Sequence, residues 1–345
     1  MDRKVRCAVL GLGRLGKIHA ENIAGKIKGA QLVAVSDVMP GVAETFAREH
    51  EVKYWSTEPD AIIARDDIDA IIVVTPTSTH AELARKVARS GKALFLEKPI
   101  STDIQVARRT ASVIEEAGIT CQLGFMRRFD PAYAHARDRI AAGDIGTPLY
   151  FKGVTRDPFV AHEEYVATCG GIFTDLNIHD FDIARFLMGQ EIVEVNAMGS
   201  VLASPIVAKY DDVDQALTYL RFADGAAGDV EGYRNAKYGY DIRAEVIGTE
   251  GTLVIAGLRN HNVTLLGPNQ GSFDIIPFFM ERFETAYLRE LEHFIECLHR
   301  DAKPAVGIKD GLIAQEIAHA AKTSCQTEQK VRVNVHGLRN EHFSS

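Results

Sequence analysis

The first 120 residues alternate short aliphatic runs with longer amphipathic stretches. The aliphatic runs have strand length and almost no polar residue, which is typical of strands buried on both faces of a parallel sheet. Amphipathic stretches of helix length separate them, as in βαβ units. The predicted strands are residues 5–10, 31–35, 70–74, 93–96 and 120–123, and the predicted helices are 17–28, 41–50, 79–90 and 103–117.

The pattern changes after about residue 125. Helices are predicted over 130–142 and 172–188, several strands over 192–266, two helices over 282–300 and 309–325, and a last strand over 331–335. Asp224-Gly225 and Glu250-Gly251 are predicted turns between strands, because Gly adopts the positive φ angles of tight hairpins. The chain is therefore expected to be an α/β protein with a parallel-sheet domain at 1–124 and an α+β domain at 125–345, the latter built on a large, mostly antiparallel open sheet.

Charge and cysteine content exclude several classes of function. The formal net charge of −8 and the absence of a long Lys/Arg run argue against nucleic-acid binding and against an anionic membrane surface. The five cysteines are scattered and odd in number, as expected for free thiols in a reducing compartment. No run is long enough for a signal peptide core or a membrane span, so a cytoplasmic protein is expected.

A glycine-rich loop joins the first predicted strand to the first predicted helix. Its sequence is Gly11-Leu12-Gly13-Arg14-Leu15-Gly16. In a dinucleotide-binding fold the first Gly makes the turn, the second lets the pyrophosphate approach, and the third lets the helix pack on the strand. The helix N-terminus offers free N–H groups to the phosphates. The motif stands in the strand–loop–helix context that it requires.

The ends of later strands carry candidate cofactor contacts. Asp37 ends the second strand, 21 residues after Gly16, where a carboxylate binds the adenine ribose and disfavours a 2′-phosphate, so NAD is expected rather than NADP. Alternatively, Asp37 caps the turn before helix 41–50. Thr75-Pro76-Thr77 and His80 follow strand 70–74, where hydroxyl groups can line the cofactor crevice or cap the next helix.

Two motifs are candidates for acid–base chemistry. Glu97-Lys98-Pro99 follows predicted strand 93–96, and a Lys there can polarise an alcohol oxygen, although a Lys beside a Glu is commonly a surface ion pair. Asp175 and His179 are spaced i and i+4 on a predicted helix, so the carboxylate can orient a His general base. There are three alternatives: Asp175 and His179 form an ion pair on the helix surface, His179 is a core histidine, or the two residues bind a metal together with Asp182. No Cys or second His stands at ligand spacing, so no metal is expected.

Taken together, these motifs resemble the superfamily of glucose–fructose oxidoreductases and inositol dehydrogenases, over nearly the whole chain. The glycine loop, Thr75-Pro76, Glu97-Lys98-Pro99, the segment 124–130 and Asp175-x-x-x-His179 carry the resemblance. Within the superfamily the chain looks most like bacterial inositol 2-dehydrogenases. The stretches 213–219 and 241–248 look closer to the scyllo-inositol branch than to the myo-inositol branch.

The resemblance implies an NAD-dependent enzyme that oxidises scyllo- or myo-inositol to a 2-keto-inositol. Lys98, Asp175 and His179 would be catalytic, with His179 taking the hydroxyl proton, and Arg127, Asp157 and Tyr238 would join them in binding the polyol. The family also implies a homotetramer formed through the sheet of the second domain. The candidate NAD contacts are Gly11, Leu12, Gly13, Arg14, Leu15, Gly16, Asp37, Val38, Thr75, Pro76, Thr77, His80, Glu97 and Lys98.

Alternatives remain open on the sequence alone. The substrate could be another inositol isomer or an aldose sugar, or the chain could be a non-catalytic NAD-binding sensor on the same fold. Residues 159–169 match no pattern and lie before the helix that carries Asp175, where a loop that selects the substrate is expected.

Overall fold

A computed structural model describes residues 3–334, and the chain divides into two compact units. The first unit consists of the chain up to Met126 together with Thr285–Leu312, and the second of Arg127–Glu284 and the chain from Ile313 on. From the sequence, everything after residue 124 is predicted to belong to the second domain. In the structure, Thr285–Leu312 groups with the first unit, and its residues Leu291, Phe294 and Ile295 are buried in the hydrophobic core of that unit.

The first unit is built on a six-stranded sheet in which every pairing is parallel, with strand order β3-β2-β1-β4-β5-β6. Strands β1 and β4 are almost wholly buried, as expected for runs with at most one polar residue. The strands are β1 Val5–Leu10, β2 Ala30–Ser36, β3 Tyr54–Ser56, β4 Ala70–Val73, β5 Ala93–Glu97 and β6 Cys121–Gly124. The helices are α1 Arg14–Glu21, α2 Val42–Glu49, α3 Pro59–Ile63, α4 Thr77–Arg89 and α5 Ile104–Ala117.

The parallel pairings confirm the predicted parallel sheet. The strand order changes direction between β1 and β4, and in such a sheet ligands bind at that point, outside the carboxyl ends of the strands. The pattern analysis did not predict β3 and α3, because β3 is a partly exposed edge strand of three residues, too short to show a period. The helix predicted over 17–28 instead ends at Glu21 and continues as a π-helical turn, Asn22–Lys26.

The second unit is built on a seven-stranded sheet of order β12-β11-β7-β10-β9-β8-β15. Only the β7–β10 pairing is parallel, which confirms the mostly antiparallel sheet. Its strands are β7 Pro148–Asp157, β8 Ile192–Ser200, β9 Gln215–Phe222, β10 Ala227–Arg234, β11 Asp241–Gly248, β12 Thr252–Ile255 and β15 Val331–Arg332. A separate hairpin pairs β13 Leu265–Gly267 with β14 Gln270–Ser272.

Helices of the second unit are α6 Pro131–Ala141, α7 Glu163–Val166 and α8 Ile178–Met188, while the unit division falls within α9 Phe279–Arg300 and α10 Ile308–Thr327. A π-helical turn, Phe173–Asn177, precedes α8, so the helix predicted over 172–188 is not one regular α-helix. The predicted turn at Gly225 (φ +95°) joins β9 to β10. Residue 335 of the predicted last strand lies outside the described residues.

Residues in β9 alternate strictly between buried and exposed positions, so one face of the sheet packs on the core and the other is open. The open face carries several large apolar side chains, namely Met198, Leu217, Tyr219, Ile247 and Val254. Within residues 3–334, no helix combines the length and apolarity needed to cross a membrane. All five cysteines are free thiols.

Candidate active site

The glycine loop after β1 has the geometry of a phosphate cradle. Gly11 has φ +92°, and a Cβ there would lie 2.6 Å from the carbonyl oxygen of Val74. A Cβ on Gly16 would overlap the carbonyl oxygen of Gly11, so the helix packs on the loop only with Gly at that position. Gly13 has no atom within 4 Å of its Cβ position. The loop is therefore closed at its first and third glycines and open at the second, where a pyrophosphate approaches.

The carboxylate of Asp37 faces this loop. Its Oδ2 accepts a hydrogen bond from the backbone N–H of Leu12 at 2.8 Å, and its Oδ1 accepts one from the N–H of Met39 at 2.9 Å. Each carboxylate oxygen has a second lone pair, so the group can still accept two ribose hydroxyls. Val38, the next residue, is exposed. The loop and Asp37 thus fit an adenine dinucleotide without a 2′-phosphate.

Buried His80 links the turns that follow β4 and β5. Its Nδ1 lies 2.8 Å from the carbonyl oxygen of Pro99, and its Nε2 lies 2.8 Å from that of Thr75. Burial lowers the pKa of His80 below its usual value, against the opposing effect of the two carbonyl groups. Since both ring nitrogens have partners within the protein, the structure supports a linking role for His80. Thr75 and Thr79 are hydrogen-bonded to each other beside it.

Glu97 is buried at the end of β5, next to Lys98. Its Oε1 lies 3.1 Å from Nε2 of His19, and its Oε2 accepts a hydrogen bond from the N–H of Lys98 at 3.3 Å. A second buried carboxylate, Glu290, places an oxygen 4.0 Å from the same His19 nitrogen. Burial, and then the negative charge of Glu97, raise the pKa of Glu290 well above its usual value. His19 and Glu290 were not predicted from the sequence, because they lie in two helices, α1 and α9, that are distant along the chain.

In the second unit, Asp175 is held from two sides. Its Oδ1 accepts a hydrogen bond from the hydroxyl of Tyr165 at 2.7 Å, and its Oδ2 accepts one from Nη2 of Arg234 at 2.9 Å. Arg234 is buried at the end of β10. The negative charge of Asp175, with burial, raises the pKa of Tyr165 well above its usual value, so this hydroxyl stays a donor at neutral pH. Neither Tyr165 nor Arg234 was predicted from the sequence.

His179 is buried in the first turn of α8, with 8% of its surface exposed. Asp182, three residues later, forms a two-bond ion pair with Arg128 at 2.6 and 2.8 Å. The alternative in which Asp182 completes a metal site is therefore not supported, because its oxygens are bound by a guanidinium.

The predicted polyol ligand Arg127 is 1% exposed. Its Nη1 donates to Asp180 at 2.7 Å and its Nη2 donates to the Thr155 hydroxyl at 3.0 Å. The structure thus gives Arg127 a structural ion pair, and its contact with a polyol stays a prediction.

The other two predicted polyol ligands lie near strand ends. Asp157 ends β7 and is the register partner of Arg234 in the parallel β7–β10 pair. Because Arg234 binds Asp175, the fold brings Asp157 and Asp175 to one end of the sheet. Tyr238 is about half exposed; its hydroxyl donates to Asp241 at 2.6 Å and accepts from Arg156 at 3.1 Å.

Two stretches of the chain match the two domains of a known protein family. Residues 5–125 match the "Oxidoreductase family, NAD-binding Rossmann fold" and residues 137–333 match the "Oxidoreductase family, C-terminal alpha/beta domain". The chain belongs to the glucose–fructose oxidoreductase and inositol dehydrogenase family. The family resemblance inferred from the sequence motifs is therefore confirmed.

Several relatives within this oxidoreductase family are named inositol dehydrogenases. The chain is 49% identical over 335 residues to scyllo-inositol 2-dehydrogenase (NAD(+)) of Bacillus subtilis, covering 97% of this chain and 98% of that protein. It is 38% identical to inositol 2-dehydrogenase of Rhizobium meliloti over 95% of this chain and 99% of the relative. Among solved structures, scyllo-inositol dehydrogenase from Lactobacillus casei with bound NAD(H) and scyllo-inositol aligns with a TM-score of 0.90 at 32% identity, over 96% of this chain and 99% of that one.

Proposed function

We propose that this family member catalyses the NAD-dependent oxidation of an inositol, preferably scyllo-inositol, to the 2-keto-inositol. The observation that carries the proposal is the 49% identity to scyllo-inositol 2-dehydrogenase, which spans nearly the whole chain. The open Gly13 and the oriented Asp37 support NAD as the oxidant. When bound, NAD supplies the acceptor for the hydride that leaves the substrate carbon.

In the proposed mechanism, His179 takes the proton of the reacting hydroxyl as general base. Asp175 orients His179 and stabilises the charged imidazolium, while Lys98 holds the reacting oxygen. Arg234 and Tyr165 support this role of Asp175, since each binds one oxygen and keeps the carboxylate in a single orientation. Asp157 and Tyr238 are proposed to bind the remaining hydroxyls of the ring.

An NADH-absorbance assay tests this proposal. Purified protein is offered scyllo-, myo- and D-chiro-inositol, glucose and xylose, with NAD and NADP in parallel. We expect the highest kcat/KM with scyllo-inositol and NAD. Activity confined to a sugar would overturn the substrate, and NAD binding without turnover of any polyol would favour the sensor alternative.

Variants of the proposed catalytic residues test the mechanism. Lys98→Ala and His179→Ala are expected to keep NAD binding and the folded state while kcat falls by roughly 100-fold or more, as is usual when a general acid–base group is lost. His135→Gln, an exposed histidine of α6, is the matched control and should keep wild-type turnover. Near-wild-type kcat in either catalytic variant would remove that residue from the mechanism.

The second domain's open sheet face is proposed to form a homotetramer. Five large apolar residues on this face each expose 38–68% of their surface, namely Met198, Leu217, Tyr219, Ile247 and Val254. Exposed apolar residues that share one face mark an interaction surface, whereas single scattered ones do not. Light scattering on the eluted protein measures the mass directly. Leu217→Glu should reduce it, whereas a wild-type protein that elutes as a monomer of 37.9 kDa would refute the proposal.

A further inference from the structure

The segment between β7 and the π-helical turn carries one aromatic residue beside the proposed catalytic carboxylate. Tyr165 lies in α7, and two buried residues that follow it, Val166 and Cys169, fix the segment to the second unit. Glu163 anchors the start of α7, because its Oε1 accepts hydrogen bonds from Lys209 at 3.3 Å and from the Tyr210 hydroxyl at 3.1 Å. The position of the Tyr165 ring is therefore held by contacts on both of its flanks.

The Tyr165 hydroxyl donates a hydrogen bond to the carboxylate of Asp175 at 2.7 Å, while half of the residue's surface remains exposed. Asp175 cannot turn toward another partner without losing Arg234, which binds its other oxygen at 2.9 Å. What Tyr165 offers to a ligand beside Asp175 is consequently its ring and a hydroxyl oxygen that can accept but not donate a hydrogen bond.

Stereoisomers of inositol differ in what their ring faces expose. When all hydroxyls are equatorial, as in scyllo-inositol, both faces of the ring present only C–H groups. Such a face packs well on an aromatic ring, whose π surface is negative and attracts the positive C–H edges. An axial hydroxyl, as in myo-inositol, puts a polar group on one face, where an aromatic ring leaves it without a hydrogen-bond partner.

We propose that Tyr165 is a specificity-determining residue, whose ring packs against a C–H face of the cyclitol and favours the isomer with every hydroxyl equatorial. The inference rests on the proposed function, since it places the substrate at Asp175 and His179. It assigns a role to residues 159–169: the segment presents a ring whose orientation the catalytic carboxylate itself sets.

The test compares kcat/KM for scyllo-inositol with kcat/KM for myo-inositol in three variants. Tyr165→Leu removes the ring and should lower the scyllo-to-myo ratio by about tenfold, the discrimination typical of one shape contact in a pocket. Tyr165→Phe keeps the ring, so the ratio should stay within about threefold of wild type while kcat falls for both substrates. Tyr150→Phe removes a tyrosine hydroxyl of β7 that donates to Asp229 at 2.6 Å, and it should change neither quantity.

Outcomes separate the inference from the proposed function. A wild-type protein that turns over no inositol refutes the proposed function and the inference with it. A wild-type preference for myo-inositol refutes the inference and the proposed scyllo preference, but leaves inositol oxidation as the function. An unchanged ratio in Tyr165→Leu, or an equal loss in Tyr165→Phe and Tyr165→Leu, refutes the inference alone. If Tyr165→Leu has a lower Tm than wild type, Tyr165→Met is used in its place. The long, unbranched Met side chain can fill the space next to the buried residues of this segment without supplying an aromatic ring.

Discussion

Arg127 offers the sharpest test of the structure, because sequence motif and geometry assign it different roles. Replacement of Arg127 by Met leaves Asp180, which is 2% exposed, without its cation and with only the Thr155 hydroxyl as a partner. Removing one member of a buried ion pair costs about 3–5 kcal/mol. The remaining Thr155 hydrogen bond places the expected loss near the lower end, about 3 kcal/mol.

The assay is calorimetric unfolding combined with steady-state kinetics. For a unit of this size, a loss of about 3 kcal/mol lowers Tm by roughly 6–12 °C. The double variant Arg127→Met/Asp180→Leu removes both charges and should recover most of the stability, since apolar replacement of a buried pair is often nearly neutral. If Arg127 is only structural, this repaired protein also recovers the wild-type KM for the polyol.

The neighbouring pair Arg128–Asp182, at 2.6 and 2.8 Å, provides the matched control. Arg128→Met should destabilise the protein to a similar extent, and repair with Asp182→Leu should restore both stability and KM. The structural argument is refuted if Arg127→Met unfolds within about 1 kcal/mol of wild type. A repaired Arg127 variant that is stable but keeps a raised KM would instead show that Arg127 binds the substrate directly.

Three further predictions concern the first unit. Burial lowers the pKa of His80 below 6.5, so as pH falls the unfolded chain takes up this proton before the folded protein does, and stability should fall below that pH. His80→Gln should therefore show a smaller change of Tm with pH than wild type between pH 5 and 7.5. An equal change of Tm in both proteins would show that His80 does not contribute to the pH dependence. The pKa of Glu290 is raised, so the folded protein loses stability as pH rises and the protonated form of this carboxyl is lost. Glu290→Gln carries no charge and should therefore have a higher Tm than wild type at pH 8. A lower Tm at that pH would contradict the idea that ionised Glu290 destabilises the fold. Asp37→Ala should lower the NAD-to-NADP ratio of kcat/KM by roughly tenfold or more, and an unchanged ratio would exclude Asp37 from cofactor choice.

Local sequence by itself determined the parallel sheet and its cofactor loop. Short, mainly apolar runs bury their side chains best in a sheet that is covered on both faces, so five of the six strands of the first unit could be predicted from residue type. Gly11 and Gly16 could also be predicted, because they belong to one short motif, in which a Cβ on Gly16 would overlap the carbonyl oxygen of Gly11. The Asp175–His179 motif could be found for the same reason, although its α-helical spacing was wrong in part, since a π-helical turn ends just before α8.

Tertiary structure alone decided which charges are buried and what they bind. More than 50 residues of chain separate the members of each of three buried pairs, namely Arg127 and Asp180, Asp175 and Arg234, and Glu97 and Glu290. No local sequence period links the two members of any pair. Their partners depend on which strands and helices pack together, which in turn follows from burying apolar surface over the whole unit. The same packing drew Thr285–Leu312 into the first unit, although in sequence these residues follow the strands of the second. Hydrophobic pattern is encoded over a few residues, whereas the pairing of buried charges exists only once the chain has folded.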